Sequence, residues 1–192
     1  MVGLAVFGFA SAEVQNGSEA PAFSLKNLAG ETVSLSDFKG KTVVLEWSNP
    51  DCPFVKKFYK PGKMQEWQKS TTEAGGVWLT INSSAKGKSG YYSASEMATK
   101  LENSGGYNGS AYLLDTDGKV GKTYGAKTTP HIYIIDKEGN LAYQGAIDSK
   151  KSVNAADIDE ATNYIVKTLA ALESGDKVSP DKTKPYGCSV KY

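Results

Sequence analysis

Thr42-Val43-Val44-Leu45-Glu46-Trp47-Ser48-Asn49-Pro50-Asp51-Cys52-Pro53-Phe54-Val55 carries a near-continuously apolar run into a polar loop, and then into a cysteine followed at once by proline. The run reads as a strand buried on both faces, with Glu46 as its one exception. The residues from about Cys52 to Tyr59 read as a helix, so Cys52 stands at a strand-to-helix junction. There, orphan backbone N–H groups and the positive helix end favour an anion. A thiol so placed is expected to be accessible and acidified, and the thiolate is the form that attacks. Lys56 and Lys57 lie one helical turn on and add positive charge, which Asp51 opposes. The alternative is a buried and inert cysteine.

Working outward, Phe23-Ser24-Leu25 and Thr32-Val33-Ser34-Leu35 form a hairpin whose connection carries Asn27 and Gly30. Ser36 to Gly40 is a short helical turn. After the cysteine helix, Pro61-Gly62 interrupts and a second helix runs from Lys63 to Thr72. Gly76 to Asn82 is a second buried strand. Ser93 to Leu101 is a helix with Ser93 and Glu96 at capping-box spacing. Tyr112 to Asp115 is a short strand, Val120 to Tyr124 a short helix, and His131–Asp136 with Leu141–Gly145 a β-hairpin. Ala156 to Ser174 has apolar residues at spacings of three and four and predicts one long closing helix. Alternating strands and helices, then a hairpin and a helix, predict an α/β fold with a mixed central sheet flanked by helices, an N-terminal hairpin and an extended C-terminal tail.

The chain has 192 residues and one main domain is expected. Three segments are expected: a signal-peptide remnant at 1–12, a single domain over 13–175, and a tail over 176–192. The remnant is the short apolar run Val2–Phe9 followed by Ala10-Ser11-Ala12, an A-x-A-like cleavage site, which predicts export to the periplasm or beyond. The run is too short to span a membrane. Formal net charge is +1 with both signs mixed, which gives no footprint for a nucleic-acid partner. All 22 basic side chains are lysine, so no mechanism that needs a guanidinium fork is open. One histidine, His131, and two distant cysteines offer no metal-ligand spacing, and no cofactor is expected.

Cys188 is the second cysteine. It sits in a tail without periodicity, beside Tyr186, Val190 and Tyr192, which can dock. Three readings stay open: a resolving thiol that returns to Cys52, a static staple worth roughly 4–5 kcal/mol in the chain-entropy model, or an unpaired thiol.

Cys52-Pro53-Phe54-Val55 resembles the thioredoxin Cys-x-x-Cys site with valine in place of the second thiol, and Thr129-Pro130 resembles that fold's cis-proline pair. Ala20–Leu25, Gly30 and Val33–Lys41 resemble the redoxin superfamily, also called alkyl hydroperoxide reductase and thiol-specific antioxidant. Asn49–Lys57, Asn82-Ser83-Ser84, Thr128–His131 and Tyr186–Tyr192 look like its peroxiredoxin-like subgroup. The resemblance implies a thioredoxin-like fold and thiol redox chemistry with Cys52 as nucleophile; Cys188 resolves the intermediate if the tail docks. It implies a buried acid at Glu46 that relays protons, against the alternative of a satisfied strand glutamate. Asn49, Pro53, Thr129 and Pro130 become the substrate-contacting candidates. True peroxiredoxins carry Pro-x-x-x-Thr/Ser-x-x-Cys and an arginine; here Leu45 and Asn49 stand seven and three residues before Cys52, and arginine is absent. Thiol–disulfide exchange is therefore the first reading, slow peroxide reduction the second, and a module with a structural disulfide the third. A protein disulfide, small thiol or peroxide is the expected substrate, with an external thiol as reductant, and the chain is expected to be a monomer or weak dimer.

Overall fold

The computed structural model describes residues 14–192. The expected signal remnant therefore lies outside the described residues. The element order is β1 (Ser24–Asn27), β2 (Thr32–Ser34), a 3-10 turn (Leu35–Phe38), β3 (Val43–Trp47), α1 (Pro53–Tyr59), α2 (Lys63–Glu73), β4 (Val77–Asn82), α3 (Ala94–Asn103) and β5 (Ala111–Leu114). Then come α4 (Lys119–Tyr124), β6 (Thr128–Thr129), β7 (His131–Ile135), β8 (Leu141–Gly145), a 3-10 turn (Ala155–Asp157), α5 (Tyr164–Ser174) and β9 (Cys188–Ser189).

Seven strands make one mixed sheet in the order β2-β1-β5-β4-β3-β7-β8. The central pairs β3–β4 and β4–β5 are parallel, while β7 runs antiparallel to both β3 and β8. β3 is buried along its whole length, as its apolar run requires. Alternate side chains serve opposite faces. Val43, Leu45 and Trp47 join Leu79, Ile81, Tyr124 and Tyr133 on one side. Val44 joins Phe58, Met64, Trp78, Ile134 and Ile165 on the other, beneath α1, α2 and α5.

Local chemistry sets the helix ends. Gly62, at φ 81°, makes the left-handed turn that separates α1 from α2. The Ser93–Glu96 capping box forms as the spacing predicts, with both reciprocal hydrogen bonds present. The long closing helix expected over Ala156–Ser174 is shorter. Asn163 caps α5 instead, its Oδ1 accepting from Ile165 N at 2.9 Å and Val166 N at 3.1 Å. The residues just before it are held as extended chain: Tyr164 N donates to Ile147 O at 2.9 Å, and Ser149 N to Thr162 O at 3.1 Å. Those tertiary bonds occupy backbone groups that a longer helix would need, and they override the apolar periodicity around Ile158.

The segment after α5 has no helix, yet it is tied down along its length. Thr183 N donates to Gln144 O at 3.0 Å, and Ala146 N to Thr183 Oγ1 at 2.9 Å. Val190 N donates to Lys127 O at 3.2 Å, Ala85 N to Lys191 O at 2.8 Å, and the Tyr192 hydroxyl to Ala126 O at 2.8 Å. The tail is thus a strap that crosses from β8 to the loop before β7. Replacing Asn163 by alanine removes the cap of α5 and should lower the unfolding free energy by about 1 kcal/mol, read as a lower urea midpoint with unchanged slope.

Candidate active site

Cys52 is the N-cap residue of α1, with extended dihedrals of φ −67° and ψ 125°, and Pro53 follows in the first helical turn. Its carbonyl accepts from Val55 N at 3.1 Å and Lys56 N at 2.9 Å, which fixes the cysteine at the helix mouth. The peptide bond Thr129–Pro130 is cis, as the resemblance implies. Two distant segments meet the sulfur. Cys52 Sγ lies 3.0 Å from the Thr129 carbonyl oxygen, to which the thiol donates, and 2.8 Å from Cys188 Sγ. Both cysteines are free thiols in this state. The tail reaches this position as a strand: β9 pairs antiparallel with β6, with Cys188 opposite Thr129 and Ser189 opposite Thr128.

The expected accessible thiol is corrected in one respect. Cys52 is only 3% exposed, because Cys188 and the Thr129–Pro130 turn cover it. Burial alone pushes its pKa up. Hydrogen bonds from the Cys188 thiol and backbone N–H, and from Val55 N–H, outweigh burial and hold it below the ordinary thiol value. The opposite holds for Cys188, pushed up to about 11 by burial and then by its hydrogen bond to Cys52 and the charge there. Of the two sulfurs, Cys52 is the more acidic. The Thr129 hydroxyl, in a residue 2% exposed, has no hydrogen-bond partner among the described residues.

The lysines are not where the sequence put them. Lys57 does not assist the thiol; its ammonium is buried in an ion pair with Asp148 at 2.8 Å and also donates to Lys150 O at 3.0 Å. Tyr186 donates a short hydrogen bond to the other Asp148 oxygen, and its ring meets Phe54 edge-on at 5.8 Å. Lys57, Asp148 and Tyr186 thereby join α1 to the tail two residues before Cys188. Sequence reasoning missed this triad, because Asp148 and Tyr186 have no spacing that links them to a helix lysine. Asp51, read as an opposing charge, is neutralised by Lys100 at 3.0 Å and by the Tyr92 hydroxyl at 2.8 Å.

Asn49 is buried, and its amide is spent on the loop. Oδ1 accepts from Asp51 N at 2.9 Å and Nδ2 donates to Ser89 O at 3.0 Å. It shapes the turn before Cys52. Glu46 is fully buried on the α1 face of the sheet. It accepts from the Tyr59 hydroxyl at 2.9 Å, Trp78 Nε1 at 3.1 Å and its cross-strand neighbour Thr80 at 2.9 Å. Burial raises its pKa while these donors oppose the rise. Among the described residues its hydrogen-bond partners are Tyr59, Trp78 and Thr80, and none is a sulfur. His131 opens β7 with its ring against Tyr133 at 4.5 Å, and its Nδ1 accepts from Lys127 N at 3.3 Å. Among the described residues no group of three His, Cys, Asp or Glu side chains gathers to hold a metal. An open cleft of about 800 Å³ lies between α1 and α3 against Pro50, Val55, Tyr59, Lys100 and Tyr112, and neither cysteine lines it.

This arrangement of sheet, thiol loop and proline turn has known relatives. The chain is 25% identical over 136 residues to the thiol-disulfide oxidoreductase ResA of Bacillus thuringiensis subsp. konkukian, covering 67% of this chain and 68% of that one. An uncharacterized conserved protein from Geobacillus kaustophilus superposes with a TM-score of 0.78 at 28% identity, covering 93% of this chain and 92% of that one. The pneumococcal exposed lipoprotein thioredoxin from Streptococcus pneumoniae superposes with a TM-score of 0.53 at 27% identity, over 80% of this chain and 99% of that one. These neighbours establish the thioredoxin-like fold. The AhpC/TSA family model matches residues 16–144, a span that holds Cys52 and Pro130 and stops short of Cys188. By that match, over more than half its length, the chain belongs to the AhpC/TSA family.

Proposed function

We propose that the protein is a thiol–disulfide oxidoreductase in which Cys52 is the nucleophile and Cys188 resolves the intermediate. The observation that carries this reading is the 2.8 Å contact between the two sulfurs across 136 residues of sequence. The names of the relatives support the reaction class, since ResA is a thiol-disulfide oxidoreductase. The reduced protein acts as follows. The Cys52 thiolate attacks one sulfur of a substrate disulfide, that S–S bond breaks, and the departing thiolate takes up a proton. Cys188, deprotonated as it attacks the Cys52 sulfur, displaces from it the substrate sulfur that Cys52 had attacked. The substrate leaves as a dithiol and the chain is left with a Cys52–Cys188 disulfide. An external thiol reductant returns it to the starting state.

The charge distribution suits these roles. The sulfur at the helix mouth is the acidic one, and Cys188 holds the proton until the mixed disulfide removes the Cys52 charge that raised its pKa. Thr129 adds an unpartnered hydroxyl beside the reacting sulfur, and Pro130 shapes the turn that carries it. Peroxide chemistry connects to the chain through family membership, and the arginine that peroxiredoxins use is absent from the sequence. An extracytoplasmic setting fits this scheme, supported by the signal-like Val2–Ala12 stretch and by a relative described as an exposed lipoprotein. A protein disulfide is the preferred substrate class.

Mass spectrometry of the protein before and after a stoichiometric disulfide substrate should find it two hydrogens lighter, with a tryptic link between Cys52 and Cys188. Cys52→Ser should abolish turnover, and Cys188→Ser should stop it at a trapped mixed disulfide. Full turnover by Cys52→Ser would end the proposal. The pH profile follows from the lowered Cys52 pKa: thiolate persists to lower pH than in a free thiol of pKa ~8.5. Iodoacetamide alkylation of Cys52 should therefore have its midpoint below that of a free cysteine peptide titrated alongside it. Cys188→Ala, which removes a hydrogen-bond donor to the thiolate, should move the midpoint upward.

A further inference from the structure

The β6–β9 ribbon stands apart from the main sheet and has two strands only. Its outer strand is the chain's own tail, laid extended and antiparallel along Thr128–Thr129. An edge strand of this kind is a template for any extended segment, because its N–H and C=O groups need partners. The tail meets it with unusual closeness at Gly187. That residue has φ +145°, in the region that favours glycine. A Cβ there would overlap the Thr129 carbonyl oxygen and lie 2.7 Å from its carbonyl carbon and 3.1 Å from Pro130 N. All three are backbone atoms, which cannot swing aside. A Gly-Cys step is what this edge accepts. On either side the tail is held by Tyr186, against Phe54 and Asp148, and by Val190, whose N–H reaches Lys127 O at 3.2 Å.

Cys52 is covered by Cys188, and a substrate sulfur must reach Cys52 through the place that Cys188 Sγ now fills. The backbone next to that sulfur then faces the same two-residue edge. We infer that Thr128–Thr129 is a peptide-binding site selective for a cysteine preceded by glycine, which the tail occupies at rest and the substrate segment takes when the tail lifts. The inference rests on the thiol-exchange reading above and adds the substrate's local sequence to it. Substrate and tail exclude each other, so the return of Cys188 both resolves the mixed disulfide and expels the reduced peptide.

Two peptides test this, acetyl-Tyr-Gly-Cys-Ser-amide and acetyl-Tyr-Ala-Cys-Ser-amide, each presented as a mixed disulfide with thionitrobenzoate. Attack by the Cys52 thiolate on the peptide sulfur breaks that disulfide and frees coloured thionitrobenzoate, the better leaving group. Rates are measured with the reduced, full-length Cys188→Ser protein and normalised to those with free glutathione. The glycine peptide should react about tenfold faster or more, the discrimination that a backbone overlap imposes. Gly187→Ala in the same background should raise the rate with the glycine peptide, because the tail no longer seats. Equal rates for the two peptides would overturn the selectivity and leave the exchange reading standing. An unchanged rate in Gly187→Ala, with circular dichroism matching the parent, would overturn the competition. No colour release from either peptide, as in a Cys52→Ser control, would overturn both readings.

Discussion

The contact on which the rest depends is the closure of the C-terminal tail against the Thr129–Pro130 turn, which sets one sulfur on another. Without it, Cys52 would be an open helix-mouth thiol with no partner, since Val55 stands where a neighbouring second thiol would be expected. The tail supplies that thiol from 136 residues away. It does so through backbone pairing at β6–β9, through side-chain bonds at Thr183 and Tyr192, and through the Asp148–Tyr186 contact. No one of these is large. Together they close a long loop without a covalent bond.

Electrostatics divide the labour between the sulfurs. Both feel the cost of burial, which disfavours a charged thiolate. Cys52 recovers that cost from donors aimed at it, and Cys188 does not. The lysines of α1 take no part in that balance. Lys57 is instead spent on Asp148, a buried pair of the kind that contributes little net stability but is costly to break on one side. Its effect is positional: the carboxylate it neutralises also holds Tyr186, and hence the approach of the tail.

Much of the fold could be read from local pattern, and the successes and failures divide by range. β3, the α1–α2 break at Gly62 and the Ser93 capping box were legible because each is decided within a few residues. The long closing helix was misread for the converse reason. Apolar residues such as Ile158 do face the core, but bonds from Ile147 and Ser149 hold residues 162–163 extended up to the start of α5, and those partners are distant in sequence. Lys57 was misplaced in the same way: a helix lysine beside a thiol looks like its helper until Asp148 comes into reach.

The chain's sequence determined that a cysteine opens a helix after a buried strand, that a Thr-Pro step precedes another, and that arginine chemistry is absent, because composition and short-range periodicity are properties of the chain itself. Only the tertiary structure decided that Cys188 comes to lie against Cys52, that Glu46 is hydrogen-bonded within the sheet and Asn49 within its loop, and that the Cys52 sulfur rests under cover. Those facts depend on which distant groups arrive at one point, and a periodicity of two or of 3.6 residues holds no information about that.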